Sequence, residues 1–72
     1  PARRASCRHK QEFVDRLIAL AGEAGAADPV ALGHQLALLS DGARAQGATL
    51  DSDEPLRYAR TVAEGLLAAA LD

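Results

Sequence analysis

Apolar side chains recur at helical spacing most persistently between residues 28 and 50, DPVALGHQLALLSDGARAQGATL. Leu32, Leu36, Leu39, Ala43 and Leu50 fall on one face, and Ala31, Gln35, Leu38, Gly42 and Thr49 form an adjoining stripe. His34, Ser40, Asp41 and Arg44 are left on the opposite, solvated side. Asp28 is placed to cap the first turn with its carboxylate, and Pro29 has a preset φ and no amide to lose. The pattern predicts a central helix over residues 29–49. Its apolar arc is wider than one neighbouring helix covers, so it requires at least two partners.

The flanking segments supply candidates. Phe13, Val14, Leu17, Ile18, Leu20, Ala21 and Ala24 share one side of a helical repeat, with Glu12, Asp15, Arg16 and Glu23 on the other. This predicts an amphipathic helix over residues 9–24, with Glu12 and Arg16 in the favourable i,i+4 order. Gly25 is placed to be the left-handed residue that stops it, and the short link to Asp28 turns the central helix back on the first. In DSDEP, residues 51–55, Ser52 or Asp53 can cap, and Pro55 sits where its missing amide costs nothing. A third helix follows over residues 54–71. Its face of Leu56, Ala59, Ala63, Leu66, Leu67 and Ala70 is widened by Tyr58, Val62 and Ala69, against polar Arg57, Thr61 and Glu64. Residues 1–8 show no apolar periodicity and read as a basic arm.

The expected fold is all-α, with three antiparallel helices. The third helix again carries more apolar arc than one neighbour buries. Small residues, Gly42 and Ala43 in the central helix and Ala59, Ala63 and Ala70 in the third, let helix axes approach closely. Pairing these two helices with their copies in a second subunit, as a four-helix bundle, satisfies both arcs.

Composition sharpens the need for a partner. Seventy-two residues make one domain at most, and a hydrophobic fraction of 49% that includes one Phe, one Tyr and no Trp or Met offers little apolar area. Gain from burial and loss of chain entropy come out nearly balanced for such a unit alone, so dimerisation or further chain is expected. The net charge of −2 excludes a generally basic nucleic-acid surface. Arg3, Arg4, Arg8, Lys10 and Arg16 are five of the eight basic residues, but no aromatic or base-reading pattern accompanies them, so they read as a solvated leader. Cys7 is the one cysteine, and neither a hydrophobic leader nor a membrane-length apolar run occurs. A cytoplasmic protein without membrane contact is expected. A start at Pro1 with no Met in the chain fits either initiator removal or a piece of a longer protein.

Candidate chemistry is sparse. His9 and His34 make no metal-ligand spacing with acidic or thiol residues. His34 and Asp41 lie two turns apart on one helix with Ser40 turned away from both, which rejects a Ser/His/Asp arrangement. No GxGxxG, Walker or zinc-finger spacing occurs, and Gly22, Gly25, Gly33, Gly42 and Gly47 read as helix ends or close-packing points. The expectation is a non-enzyme with no metal and no cofactor. Gln35, on the inner side of the central helix, reads as a boundary residue reaching water ahead of a polar anchor for a ligand or a cross-dimer bond. Phe13 and Leu17 read as core ahead of cavity wall.

Three blocks carry a resemblance: Ala24-Gly25 with Asp28-Pro29; Gln35-Leu36-x-Leu38-Leu39-x-Asp41-Gly42-Ala43; and Ala59-Arg60-x-x-Ala63-Glu64-x-Leu66-Leu67. In order and spacing, over about two-thirds of the chain, they resemble the C-terminal region of tetracycline-repressor (TetR) family transcriptional regulators. Pro1-Ala2-Arg3-Arg4 and His9-Lys10 are similar to the segment that precedes it in many members. The resemblance implies an effector-sensing and dimerisation region whose last two helices pair with a second subunit. It places Leu38, Leu39, Gly42, Ala45, Thr49, Ala59, Val62, Ala63, Leu66 and Ala70 at a homodimer interface. Phe13, Leu17, Gln35 and Leu36 would then wall a pocket for a small-molecule effector. The family's N-terminal helix-turn-helix and the middle helices that complete its pocket have no counterpart here, so DNA would be contacted only through a head outside these residues. The alternative is a free-standing helical module whose groove accepts a partner protein's amphipathic helix.

Overall fold

The computed structural model describes the backbone of residues 2–71 and the side chains of residues 7–71. Three helices follow one another: α1 over Ala2–Glu23, α2 over Pro29–Leu50 and α3 over Glu54–Leu71. The chain is all-α, as its periodicity predicts. Helices α2 and α3 begin where expected. Helix α1 does not, because the backbone is helical from Ala2 and residues 2–8 belong to it rather than to an arm. Alanine, arginine and lysine are strong helix formers whether or not they are buried, and apolar periodicity reports burial only. The side chains of Arg3 and Arg4 lie outside the described residues.

Each helix end has an identifiable local cause. At the end of α1 the amide of Ala26 donates to the carbonyl of Ala21 and that of Gly25 to Gly22, at 3.0 and 3.1 Å, with Gly25 at φ +90°. This is a Schellman closure, which requires a left-handed residue at the position Gly25 occupies. Asp28 then caps α2, its Oδ1 accepting from the Ala31 amide at 3.1 Å. Helix α2 ends differently from the glycine rule. Asp51 adopts the left-handed conformation, φ 49° and ψ 53°, and the Ser52 amide reaches back to the carbonyl of Gly47 at 3.0 Å. Of the two cap candidates for α3, Ser52 has the contact, its Oγ accepting from the Glu54 amide at 3.0 Å.

Helix α2 packs against both neighbours, while α1 and α3 do not touch each other among the described residues. The first turn is nevertheless tied to α3, the Ala27 amide donating to the carbonyl of Ala70 at 3.3 Å. Helices α1 and α2 meet at Gly33, which is buried against the backbone of Ile18. Lys10 lies eight residues before Ile18 and Asp41 eight after Gly33, and their side chains form an ion pair at 3.0 Å. The two contacts report one antiparallel register. Ser40 and Asp41, expected to be solvated, are both half-buried, and Asp41 faces α1. On α1 itself, Gln11 donates to Asp15 at 2.9 Å, and the expected Glu12 and Arg16 pair does not form.

The resulting unit is thin. Its Cα trace measures 35 × 32 × 13 Å, with a radius of gyration of 13.3 Å, against about 11 Å for a compact domain of this length. Among the described residues Ala21, Leu32, Ala37 and Ala43 are the buried apolar side chains, and α3 has no buried residue. One leucine and three alanines are too little apolar volume to close a core, because alanine removes only a methyl group from water.

Candidate functional site

The turn at residues 51–53 folds α3 back along α2, and small side chains line the seam between them. Ala43 is buried, and Leu39, Ala59 and Ala63 are half-buried. Small groups at a helix contact set the larger neighbours to either side, and a groove opens on each face of the pair. Leu39, Ala43 and Ala59 border both grooves and separate them.

The smaller groove, about 370 Å³, lies between Leu38, Gly42, Gln46 and Leu50 of α2 and Glu54, Pro55, Tyr58 and Val62 of α3. Its walls are apolar and exposed: Leu38 is 72%, Tyr58 68%, Leu50 63% and Val62 51% accessible. Single exposed leucines are ordinary, whereas here several large apolar groups face water together on one helix pair. A Cβ added at Gly42 would meet nothing within 4 Å. The larger groove, about 680 Å³, runs along the other face. Leu36, Leu39, Ala43, Leu56, Ala59 and Ala63 form its apolar part, and Ser40, Arg44, Ser52, Arg57 and Arg60 its polar part.

The residues expected at a dimer interface fall into three groups. Leu38, Gly42, Ala45, Thr49 and Val62 are exposed, three of them around the smaller groove. Leu39 and Ala59 are half-buried on the seam. Ala63, Leu66 and Ala70 are half-buried within the chain, Ala63 bordering the larger groove. The residues expected to wall a pocket come from both α1 and α2. Phe13 and Leu17 are half-buried on α1, and Leu36 lines the larger groove. Gln35 is exposed, as expected of a boundary residue that reaches water. It lies one turn before Leu38 on the side of α2 that neither neighbour covers.

Gln46, Leu50 and Tyr58 also line the smaller groove and were not among the residues expected at an interface. The signal was present: Leu38, Gly42, Gln46 and Leu50 stand at i, i+4, i+8 and i+12, one straight row on α2. No family model, curated protein or solved structure matches this chain. Among the described residues no group of three or more His, Cys, Asp or Glu is placed to hold a metal ion. Among the described residues no helix is long and apolar enough to cross a membrane. His9, His34 and Cys7 are all exposed. The α2 and α3 pair presents an apolar face and a face where arginines border an apolar floor.

Proposed function

We propose that this chain is the dimerisation and effector-sensing part of a TetR-like transcriptional regulator. In this reading α2 and α3 pair across a two-fold axis with α2 and α3 of a second subunit, around the smaller groove. The supporting observation is exposed area. A compact monomer of 7.5 kDa would expose about 4,200 Å², and this chain exposes 5,468 Å². The difference of roughly 1,200 Å² is in the range that one protomer contributes to a stable, apolar dimer interface. An isologous contact suits the site, because Leu38, Leu50, Tyr58 and Val62 are uncharged and Glu54 is the one charged residue of its described lining.

The intact regulator would act in the cytoplasm as a non-enzymatic switch, contacting DNA through a head outside these residues. Effector binding would shift the spacing of two such heads by favouring one of two subunit arrangements, which requires different affinity for each. The solution mass of this chain, measured by light scattering over a concentration series, tests the pairing: a dimer is expected. A monomer at tens of micromolar that unfolds cooperatively would instead favour a free-standing module that accepts a partner helix. The coding sequence upstream of Pro1 tests the regulatory part, since a helix-turn-helix is expected there.

A further inference from the structure

We propose that the larger groove between α2 and α3 binds a small anionic amphiphile, its carboxylate held by Arg44 and Arg60 and its apolar tail laid along Leu36, Leu39 and Leu56. The inference concerns a single chain and does not depend on dimerisation.

Charge is distributed unevenly between the two faces of the helix pair. The chain has eight basic residues and a net charge of −2. Five of the eight are in the segment ending at Arg16, and the other three, Arg44, Arg57 and Arg60, all line the larger groove. No carboxylate is among that groove's described lining residues. The smaller groove has the opposite character, with no cation and one acid, Glu54. A second copy of the chain is a poor occupant of the basic face, because a two-fold contact there would set arginines against the same arginines.

The lining also selects the kind of anion. Six of its twelve residues are leucine or alanine, and Leu56 is 63% exposed. A bare inorganic anion would leave this floor in water, and a neutral hydrocarbon would leave the guanidinium groups without a partner. A ligand with one anionic end and an apolar body uses both. The volume of about 680 Å³ falls within the usual range for small-molecule sites, roughly 300–1,000 Å³.

The arginines are not equivalent. Arg57 Nη2 lies 3.8 Å from Asp53 Oδ1, one turn earlier on the same helix. Arg44 and Arg60 have no carboxylate within ion-pair distance among the described residues. They come from different helices and each presents a planar fork suited to two carboxylate oxygens. Ser40 and Ser52 add hydroxyl donors to the same lining.

Decanoate, kept below its micelle concentration and compared with decanol at equal ionic strength, is a suitable probe. Two-dimensional amide NMR of the full chain should show saturable binding of decanoate, with shifts at Ser40, Ala43, Arg44 and Arg60 and none at Leu38, Gly42 or Val62. The double variant Arg44→Gln/Arg60→Gln should weaken decanoate by about tenfold or more and leave decanol unchanged; both positions are exposed, and circular dichroism checks the fold. Equal affinity for decanoate and decanol, shifts centred on Leu38 and Tyr58, or an unaffected double variant would each overturn the assignment. Light scattering on the same samples reports subunit association separately: a monomer that binds decanoate at the arginines retains this site and refutes the dimer, whereas a dimer without saturable decanoate binding does the reverse.

Discussion

Gly33 of α2 lies directly against the backbone of Ile18 in α1. A Cβ added at position 33 would stand 2.8 Å from the Ile18 nitrogen and 2.9 Å from its Cα. These are main-chain atoms, which cannot rotate aside as a side chain would, so even one methyl group must push the helices apart. Gly33→Ala should therefore destabilise the fold by about 1–3 kcal/mol. At Gly65 a Cβ would meet nothing within 4 Å, and Gly65→Ala should be neutral or stabilising by up to about 1 kcal/mol. Urea unfolding of the two variants should move the midpoint in opposite senses; an unaffected Gly33→Ala would refute the close crossing.

Asp51 is the one non-glycine residue with positive φ among the described residues, at 49°. The left-handed conformation costs an ordinary L-residue about 1–2 kcal/mol, and aspartate less because its short side chain bonds locally. Asp51→Gly relieves the strain but frees the unfolded chain, so a net gain of no more than about 1 kcal/mol is expected. Asp51→Val, a β-branched residue poorly suited to positive φ, should lose about 1 kcal/mol or more. Calorimetric melting temperatures would rank the three proteins, and a valine variant melting with the parent would count against this helix end.

Position 42 distinguishes contacts within the chain from contacts beyond it. A Cβ at position 42 would meet nothing within 4 Å, so Gly42→Leu has room for its first carbon inside the chain and raises intrinsic helix propensity. Loss of association with helical content kept would place the lost contact beyond the chain. Light scattering should show a dimer for the parent chain and a shift towards monomer for Gly42→Leu, with helical content kept. A variant that still dimerises at the parental concentration would move the interface away from the smaller groove.

Lys10 and Asp41 pair at 3.0 Å but remain 66% and 37% exposed. A pair so open to solvent should contribute only about 0.2–1 kcal/mol. A double-mutant cycle of Lys10→Ala and Asp41→Ala should return a coupling in that range, shrinking at about 1 M salt, where the screening length falls to about 3 Å. Zero coupling at low salt would mean that the pair marks the register of α1 on α2 without helping to hold it.

Much of the local structure was legible because its causes lie within a few residues of sequence. Asp28 before Pro29, Gly25 after an amphipathic run and Ser52 two residues before Glu54 each close a helix end through a short contact that the residue types allow. The start of α1 was not legible from periodicity, since the sequence of residues 2–8 carries no apolar stripe to follow. The row from Leu38 to Leu50 was readable as a stripe, but its meaning depended on where α1 and α3 lie.

By itself the sequence determined three helices, their order, their antiparallel course and a surplus of apolar arc over what one chain can cover, since propensity, caps and periodicity are short-range properties. Tertiary structure alone decided which arcs are covered. Rotation of α2 about its own axis is set by long-range contacts, above all Gly33 on Ile18, and a rotation of one residue exchanges a buried position for an exposed one. That rotation gives Asp41 to α1, leaves Gln35 in water and opens grooves of different charge on the two faces of the α2 and α3 pair.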